Sequence, residues 1–323
     1  MGKETNDHFF PTAAPDLSLD NIEQLGTRRH AKKPKKGERV AASTEVERHE
    51  VLKKRARAKH FAKAVARALY LLDSPLKTSY ASTVFQCAEV LAQNGTKITS
   101  RYCGHRWCVV CNRIKTAKQL KGYEKPLSEL KNKYLVTLTL PNVEGYKLEN
   151  TIVGMTNTVQ DIQQMFQARK RRGNQNWQIV GVRKLECTFN VKSGLFHPHF
   201  HFIIEGKEAA RSLITEWLRR VPVADAKAQD MRETREGYEM ELFKYFAKLV
   251  TKIDGKNATL AVPLDTIFQS MKGKRTFQPM GGIKKVSEEV EELRAVEVEG
   301  IEAVEAPTLW QWHGSDWVNM ETG

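Results

Sequence analysis

The segment His197-Pro198-His199-Phe200-His201 places an imidazole at every second position. Side chains two residues apart on a β-strand point to the same face, so the histidines share one face while Pro198 and Phe200 turn toward a core. Neutral imidazoles held side by side on a rigid strand are frequent metal ligands. We predict a metal site at His199 and His201, with His197 less directly involved; the alternative is a solvent-exposed row of histidines.

A carboxylate on the preceding strand can complete this site. If residues 191–194 form a hairpin turn, Asn190 pairs with Leu195 and Glu186 lies opposite His199. Leu185 and Cys187 then fall on the same core face as Pro198 and Phe200, which supports the register. Two imidazoles, one carboxylate and open positions suit a catalytic Mg²⁺ or Mn²⁺ ion that is shared with a phosphate substrate.

A tyrosine follows on a segment with helical periodicity. Between Tyr238 and Ile253, apolar residues recur at steps of three and four, and Glu241, Tyr245 and Lys248 form the adjacent polar stripe. A phenol is a weak nucleophile unless its phenolate is stabilised, which Lys248 or Lys244 can do. On its own, this helix predicts no more than a tyrosine at the edge of the core.

Four cysteines cluster in the first half of the chain: Cys87, Cys103, Cys108 and Cys111. Four thiolates are the number that a structural zinc ion takes. His105 is an alternative to Cys87 as the fourth ligand, and buried free thiols are an alternative to any metal. Arginines surround the cluster, and among them we expect Arg106 and Arg113, together with Lys244, to contact DNA.

These residues need a scaffold of strands and helices. Strands are predicted at Tyr134–Leu140, 177–190 and 196–204, and helices at Glu47–Leu72, Thr151–Lys170, Lys207–Arg220 and Tyr238–Ile253. The order β-α-β-β-α-α predicts an α+β fold in which a central antiparallel sheet carries helices on one side. The cysteines would form a small additional module beside this sheet.

Composition limits the classes of partner and the domain organisation that we expect. The chain has 323 residues and a formal net charge of +14, which favours a nucleic-acid partner. We predict a disordered basic tail over 1–46, a helical zinc-binding and DNA-binding module over 47–125, a catalytic domain over 126–256, and a C-terminal extension with an acidic stretch over 257–323. No apolar run of about eighteen residues and no secretory signal is evident, so we expect a cytoplasmic protein without a membrane partner.

Three motifs in this order resemble the HUH endonuclease superfamily. They are Leu138-Thr-Leu-Pro-Asn142, the histidine motif ending in His199-Phe200-His201, and Glu241-Leu-Phe-Lys-Tyr245. Roughly from Cys87 to Lys252, the chain is similar to bacterial plasmid rolling-circle replication initiators of the type with one tyrosine and a glutamate four residues before it. Similar cysteine clusters occur in those initiators.

The resemblance implies a reaction. Tyr245 would attack a phosphate at the double-strand origin of a plasmid, forming a 5′-phosphotyrosine and a free 3′-OH that primes the host polymerase, with a host helicase as a further partner. Glu241 would serve termination, and His199 and His201 would bind the metal. The product includes single-stranded plasmid DNA, so both forms of the origin are expected ligands.

Other functions remain open at this point. One is a zinc-dependent DNA-binding regulator that never cleaves. Another is a conjugative relaxase or a transposase of the same superfamily. Relaxases place the tyrosine before the histidine motif, whereas Tyr245 follows it, and Tyr238 is a candidate second tyrosine.

Overall fold

A computed structural model describes residues 45–94, 97–173, 178–234, 251–253, 256–258, 260–286, 308–314 and 316–322. Within these ranges the protein has six α-helices and eleven strands, and each strand pairing is antiparallel. The predicted α+β class is therefore confirmed. None of the helices in the described part of the chain is long and apolar enough to span a membrane.

The first part of the chain forms a helical module with a small sheet. Its elements are α1 (Glu45–Tyr70), α2 (Lys77–Phe85), β1 (Val90–Asn94), β2 (Lys97–Ser100) and α3 (Val109–Ser128). The helix predicted from Glu47 to Leu72 matches α1 to within two residues at each end. Phe61, Val65 and Leu69 follow one another at four-residue spacing and are all buried, so one face of α1 packs into the core.

The second part of the chain contains the larger sheet and the helices around it. Its elements are β3 (Lys133–Thr139), α4 (Gly145–Arg171), β4 (Gly181–Asn190), β5 (Leu195–Glu205), α5 (Lys207–Arg220), β6 (Asp230–Glu233), β7 (Thr251–Ile253), β8 (Lys256–Ala258), α6 (Ala261–Ser270), β9 (Phe277–Met280), β10 (Thr308–Trp312) and β11 (Trp317–Asn319). Five of these strands form one sheet in the order β6-β3-β5-β4-β9.

A tight turn fixes the register of the β4–β5 hairpin. The Asn190 side-chain oxygen accepts hydrogen bonds from the backbone N–H groups of Lys192 and Ser193 at 2.9 and 3.3 Å. Gly194 has a φ of +69°, a conformation that glycine adopts at little cost. Asn190 therefore pairs with Leu195, and Glu186 lies opposite His199, as the sequence predicted.

Helices α4 and α5 cover one face of the five-stranded sheet. The stripe of buried residues on α4 runs from Leu148 through Ile152 and Val159 to Phe166, and α5 contributes Trp217. These side chains belong to one core with the sheet residues that alternate toward the helices, namely Val136, Leu138, Leu185, Cys187, Phe200 and Phe202. Leu148 extends the apolar stripe one turn before Ile152, so α4 begins at Gly145 rather than at the predicted Thr151.

Among the described residues, the helical cover on the opposite face of the sheet is only partial. Tyr123 and Leu127, near the end of α3, pack on Leu135, Val182 and Ile203. These three sheet residues are directly paired neighbours on β3, β4 and β5. The helices on one side that the sequence predicted are α4 and α5, and α3 closes one end of the other side.

The region predicted as a C-terminal extension contributes to both sheets. Strand β9 pairs with β4, and the α6 residues Ile267 and Phe268 lie in the main core. Strand β10 pairs with β1 and with β11, so residues 308–319 complete the small sheet. Trp317 donates its indole N–H to the carbonyl of Ala88 at 3.1 Å. Local sequence patterns carry no information about these distant pairings.

One predicted helix needs a correction. Its first part, residues 238–250, lies outside the described residues, but its last part, Thr251–Ile253, is a strand that pairs with Lys256–Ala258. The sequence between these strands is Asp254-Gly255, a frequent hairpin signal. The apolar spacing of Ile253 with earlier residues favours a helix, whereas the Asp-Gly sequence favours the antiparallel strand pairing that is observed.

Candidate metal centre and cysteine cluster

Three potential metal ligands come together on the face of the larger sheet that lies opposite α4 and α5. The Glu186 Oε2 atom lies 3.7 Å from Nε2 of His199 and 3.9 Å from Nε2 of His201. One ligand atom from each of the three residues lies within 4.8 Å of the others. Adjacent strands supply these side chains, so their spacing is set by the β4–β5 pairing rather than by a flexible loop.

Hydrogen bonds orient both imidazoles. The Nδ1 atom of His199 lies 3.1 Å from the backbone carbonyl oxygen of His197, and that of His201 lies 3.0 Å from the hydroxyl oxygen of Thr137. In each ring the Nε2 atom remains on the side of Glu186. Such contacts to the second nitrogen are how proteins fix the tautomer and the direction of metal-binding histidines.

The charge states of the group suit a cation. Burial opposes ionisation of Glu186, but His199 and the ammonium of Lys184 outweigh it and lower the pKa of Glu186 to about 2. Burial lowers the pKa of His201 to about 4, although Glu186 acts in the opposite direction. At neutral pH the site therefore offers an ionised carboxylate and a neutral His201 imidazole, which are the forms that bind metal.

His197 is held differently from the other two histidines. Its Nδ1 atom lies 2.8 Å from Oδ1 of Asn142, and its Nε2 atom lies 3.1 Å from the hydroxyl oxygen of Thr139. Both ring nitrogens thus have protein partners. The geometry favours His197 as a residue that positions His199 rather than as a metal ligand, since its backbone carbonyl accepts the hydrogen bond from His199 Nδ1.

The second cluster contains the four cysteines. The Cys87 Sγ atom lies 3.7 Å from that of Cys108 and 3.5 Å from that of Cys111, and the Cys103 and Cys111 sulfurs are 3.5 Å apart. Four sulfurs placed tetrahedrally at about 2.3 Å from a zinc ion would be separated by about 3.8 Å. The observed separations fit that donor set, and all four cysteines are free thiols.

The backbone around the cysteines is shaped for such a cluster. Gly104 has a φ of +72°, and its N–H donates to the Cys111 sulfur at 3.3 Å. Cys108 immediately precedes α3, and Cys111 lies in its first turn. His105, the alternative fourth ligand, has Nε2 2.9 Å from the Ser82 hydroxyl and stacks on Trp107, so Cys87 is the fourth residue of the cluster.

The arginines near the cysteines have different surroundings. The Arg106 guanidinium donates to the carbonyl oxygens of Met271 and Lys274 at 3.2 and 2.8 Å. It therefore ties the cysteine loop to the segment between α6 and β9. Arg113 lies partly exposed on α3. A DNA contact by either residue stays a prediction.

The candidate nucleophile region lies outside the described residues. It comprises Tyr238, Glu241, Lys244, Tyr245 and Lys248, which the resemblance connects with the reaction. The basic run at residues 28–39 and the acidic stretch at residues 288–305 fall outside the described ranges as well.

Lys184 belongs to the candidate metal centre but was not predicted from the sequence. Lys184 places its Nζ atom 2.7 Å from Oε1 of Glu186. Strand alternation was the available signal, because Lys184 precedes Glu186 by two residues and must share its face. Thr137 and Asn142, which contact the histidine rings, lie on or directly after a different strand, and only the tertiary structure pairs them with the site.

Comparison with known proteins relates the central part of the chain to replication proteins. The profile of the family described as "Replication protein" matches residues 96–208. A Protein rep from Staphylococcus aureus is 35% identical over 108 residues, covering 32% of this chain and 44% of the relative. A Protein rep from a Bacillus species is 26% identical over 146 residues, covering 41% of this chain and 45% of the relative. One from Bacillus amyloliquefaciens is 25% identical over 185 residues, covering 53% and 48%.

The chain spans less than half the length of each of these relatives, and no solved structure matches it. The matched residues 96–208 include Glu186, His199 and His201 of the metal centre, and they include the three cysteines of the cluster that follow residue 96. Over this stretch the chain is similar to known replication proteins, so the resemblance to a replication protein that its motifs indicated is confirmed.

Proposed function

We propose that the protein initiates rolling-circle replication of a plasmid by nicking one DNA strand at the origin. The observation that carries this proposal is the convergence of Glu186 Oε2 with the Nε2 atoms of His199 and His201 on the sheet face opposite α4 and α5. The relation to replication proteins supports the biological setting. Origin DNA, both double-stranded and single-stranded, is the proposed substrate.

The residues of the centre fit a Mg²⁺ or Mn²⁺ ion. Such an ion, when bound, would polarise the scissile phosphate and stabilise its developing charge. Glu186 contributes a carboxylate oxygen, and the two histidines contribute neutral nitrogens whose direction is fixed by His197 O and Thr137. This mixed set of oxygen and nitrogen donors matches Mn²⁺ well and is compatible with Mg²⁺.

In the proposed reaction, Tyr245 is the nucleophile. Its phenol oxygen attacks the phosphorus, the bond from phosphorus to the 3′ oxygen breaks, and a bond between tyrosine and the 5′ phosphate forms. The phenol loses one proton and the departing 3′ oxygen gains one. Lys248 or Lys244 would stabilise the phenolate, and the free 3′-OH would prime the host polymerase while a host helicase opens the duplex.

Two further residue sets have proposed roles. Glu241 would act in termination, either by activating water or by otherwise promoting release of the strand. Cys87, Cys103, Cys108 and Cys111 would hold a structural zinc ion, because four thiolates with closed coordination are typical of structural sites. Arg106, Arg113 and Lys244 remain candidate DNA contacts.

A covalent trapping experiment tests the nucleophile. The full-length protein is incubated with Mn²⁺ and a supercoiled plasmid that carries its replicon, and the protein-linked DNA is mapped by mass spectrometry. We expect nicked DNA with Tyr245 attached to the 5′ end, and loss of nicking by at least about 100-fold in Tyr245→Phe. Tyr146→Phe serves as the matched control, because Tyr146 is 76% exposed and belongs neither to the candidate metal centre nor to the proposed nucleophile segment.

Two outcomes would overturn the proposal. Nicking by Tyr245→Phe at the rate of the unaltered protein would remove the tyrosine mechanism. DNA binding that persists without divalent metal, with no cleavage under any condition, would instead favour a zinc-dependent regulator. Cleavage at transposon ends or at a transfer origin, but not at a replication origin, would favour the transposase or relaxase alternatives.

The role of Glu241 has a separate test. We expect Glu241→Ala to nick the origin at the normal rate but to accumulate multimeric single strands, because termination would fail. Gel analysis of replication products distinguishes a defect in nicking from a defect in termination. Normal termination in this variant would make Glu241 an ordinary carboxylate on the surface of its segment.

A further inference from the structure

Lys184 forms a buried ion pair with the carboxylate of the metal centre. Its Nζ atom lies 2.7 Å from Oε1 of Glu186, and the side chains are only 7% and 16% exposed. Lys184 pairs directly with His201 across the β4–β5 register, so it occupies the same sheet face as all three candidate ligands. Neither the resemblance nor the proposed reaction assigns this residue a role.

The two oxygens of Glu186 have different partners. Oε1 contacts the Lys184 ammonium, whereas Oε2 is the oxygen nearer to the Nε2 atoms of His199 and His201. A carboxylate held in this way presents one oxygen to the histidines, while its other oxygen stays paired with the lysine ammonium. Because Lys184 and Glu186 project from the same face of one strand, the strand geometry keeps Oε1 beside the lysine and Oε2 beside the histidines.

The charge balance of the face follows from this pairing. The positive Lys184 offsets the negative Glu186, and the imidazole ligands are neutral when they bind metal. A divalent cation at this centre would therefore keep nearly its full charge for an anionic substrate. Without Lys184, the carboxylate would offset half of that charge.

We propose that Lys184 is a positioning residue that holds Glu186 as a one-oxygen ligand and keeps the metal centre electropositive toward a phosphodiester. The inference rests on the proposed metal site and deepens it. It predicts that Lys184 weakens cation binding while strengthening DNA binding. An ammonium that only stabilised the fold would favour both.

The test measures metal binding and DNA binding separately on the full-length protein. Mn²⁺ affinity is measured by electron paramagnetic resonance of the free ion. Affinity for a single-stranded origin oligonucleotide is measured by fluorescence anisotropy with saturating Mn²⁺, in a Tyr245→Phe background to prevent cleavage. We expect Lys184→Met to bind Mn²⁺ about three- to tenfold more tightly and to bind DNA about tenfold more weakly.

Two further variants keep the test interpretable. Lys184→Gln retains a hydrogen-bond donor for Oε1 but removes the charge, and we expect it to change both affinities in the same directions even if Lys184→Met folds poorly. Lys133→Met is the matched control, because Lys133 is a lysine on the same sheet face whose Nζ donates to Leu127 O at 3.2 Å. Its Mn²⁺ affinity should equal that of the unaltered protein.

The outcomes separate this inference from the proposed function. Weaker Mn²⁺ binding by both Lys184 variants, or unchanged DNA affinity, would overturn the role of Lys184 while leaving the metal centre intact. Failure of the unaltered protein to bind Mn²⁺, checked against Glu186→Gln, would overturn the metal centre and the Lys184 inference together. Opposite changes in the two affinities would support the inference.

Discussion

The Nδ1 atom of His199 lies 3.1 Å from the backbone carbonyl oxygen of His197. A carbonyl oxygen only accepts hydrogen bonds, so Nδ1 carries a proton and Nε2 is the ring nitrogen on the side of Glu186. Because the acceptor belongs to the backbone, this orientation persists when the His197 side chain is replaced. The three histidines of the motif therefore have unequal roles.

Because the histidines have unequal roles, their replacement should have unequal effects on metal binding. We expect His199→Ala to weaken Mn²⁺ binding by at least about 100-fold, because a direct ligand is lost, and His197→Ala to weaken it by about tenfold or less. Electron paramagnetic resonance titration of Mn²⁺ provides the measurement. Equal losses in the two variants would mean that His197 also binds the metal.

Acid should destabilise the metal-free protein through the same centre. The pKa of His201 is lowered to about 4 by burial, whereas in the unfolded chain it is about 6.5, so between these values the unfolded state binds more protons. Stability should fall as the pH drops from about 6.5 to about 4, by at most about 1.4 kcal/mol per pH unit for this one group. Glu186, whose pKa is about 2, extends the loss to lower pH.

Urea unfolding of chelator-treated protein between pH 7 and pH 4 measures this effect. His201→Gln serves as the comparison, since glutamine does not titrate. Its stability should depend less steeply on pH in this range. An identical slope for the two proteins would contradict the lowered pKa of His201.

The cysteine cluster should hold one zinc ion per chain. We expect Cys111→Ser to lose that zinc and to lower the melting temperature, because a closed thiolate site contributes directly to folding. Cys187→Ala is the matched control: Cys187 is a buried free thiol on β4 that does not belong to the four-cysteine group, and its replacement should leave the zinc content unchanged. Elemental analysis and thermal unfolding provide the two readouts, and zinc-free purified protein with normal stability would contradict the assignment.

Asp265 should be a major stabilising contact between α6 and the N-terminal module. Its Oδ1 atom accepts hydrogen bonds from the Ser74 and Tyr80 hydroxyls, both at 2.6 Å, and Gln269 donates to Oδ2 at 2.7 Å. We expect Asp265→Ala to lower the free energy of unfolding by about 3 kcal/mol, because it leaves buried donors without a partner, and Tyr80→Phe to lower it by about 1–2 kcal/mol.

Chemical denaturation of both single variants and the double variant measures the coupling between Asp265 and Tyr80. Non-additive losses are expected, since the two residues share one hydrogen bond. Thr266→Ala is a suitable control, as the Thr266 hydroxyl donates only to a carbonyl of its own helix at 3.1 Å. Additive effects of Asp265 and Tyr80 would show that their contact contributes little.

The sequence by itself determined the β4–β5 hairpin and the places of the candidate ligands on it. Alternation of apolar and polar residues assigned faces, and the turn at 191–194 set the register that pairs Glu186 with His199. These features are local: two strands joined by a short turn carry their own pairing information. The cysteine spacing likewise predicted the cluster, with Cys87 as its most distant member.

Only the tertiary structure decided what surrounds these ligands. Thr137 lies 64 positions before His201 in the chain, and Arg106 reaches carbonyls 165 and 168 positions away. The small sheet also needs β10 from the far C-terminus to pair with β1. Such contacts depend on how whole elements pack. A hairpin fixes its own cross-strand neighbours through backbone pairing, whereas neighbours from distant segments are fixed only when the core has formed.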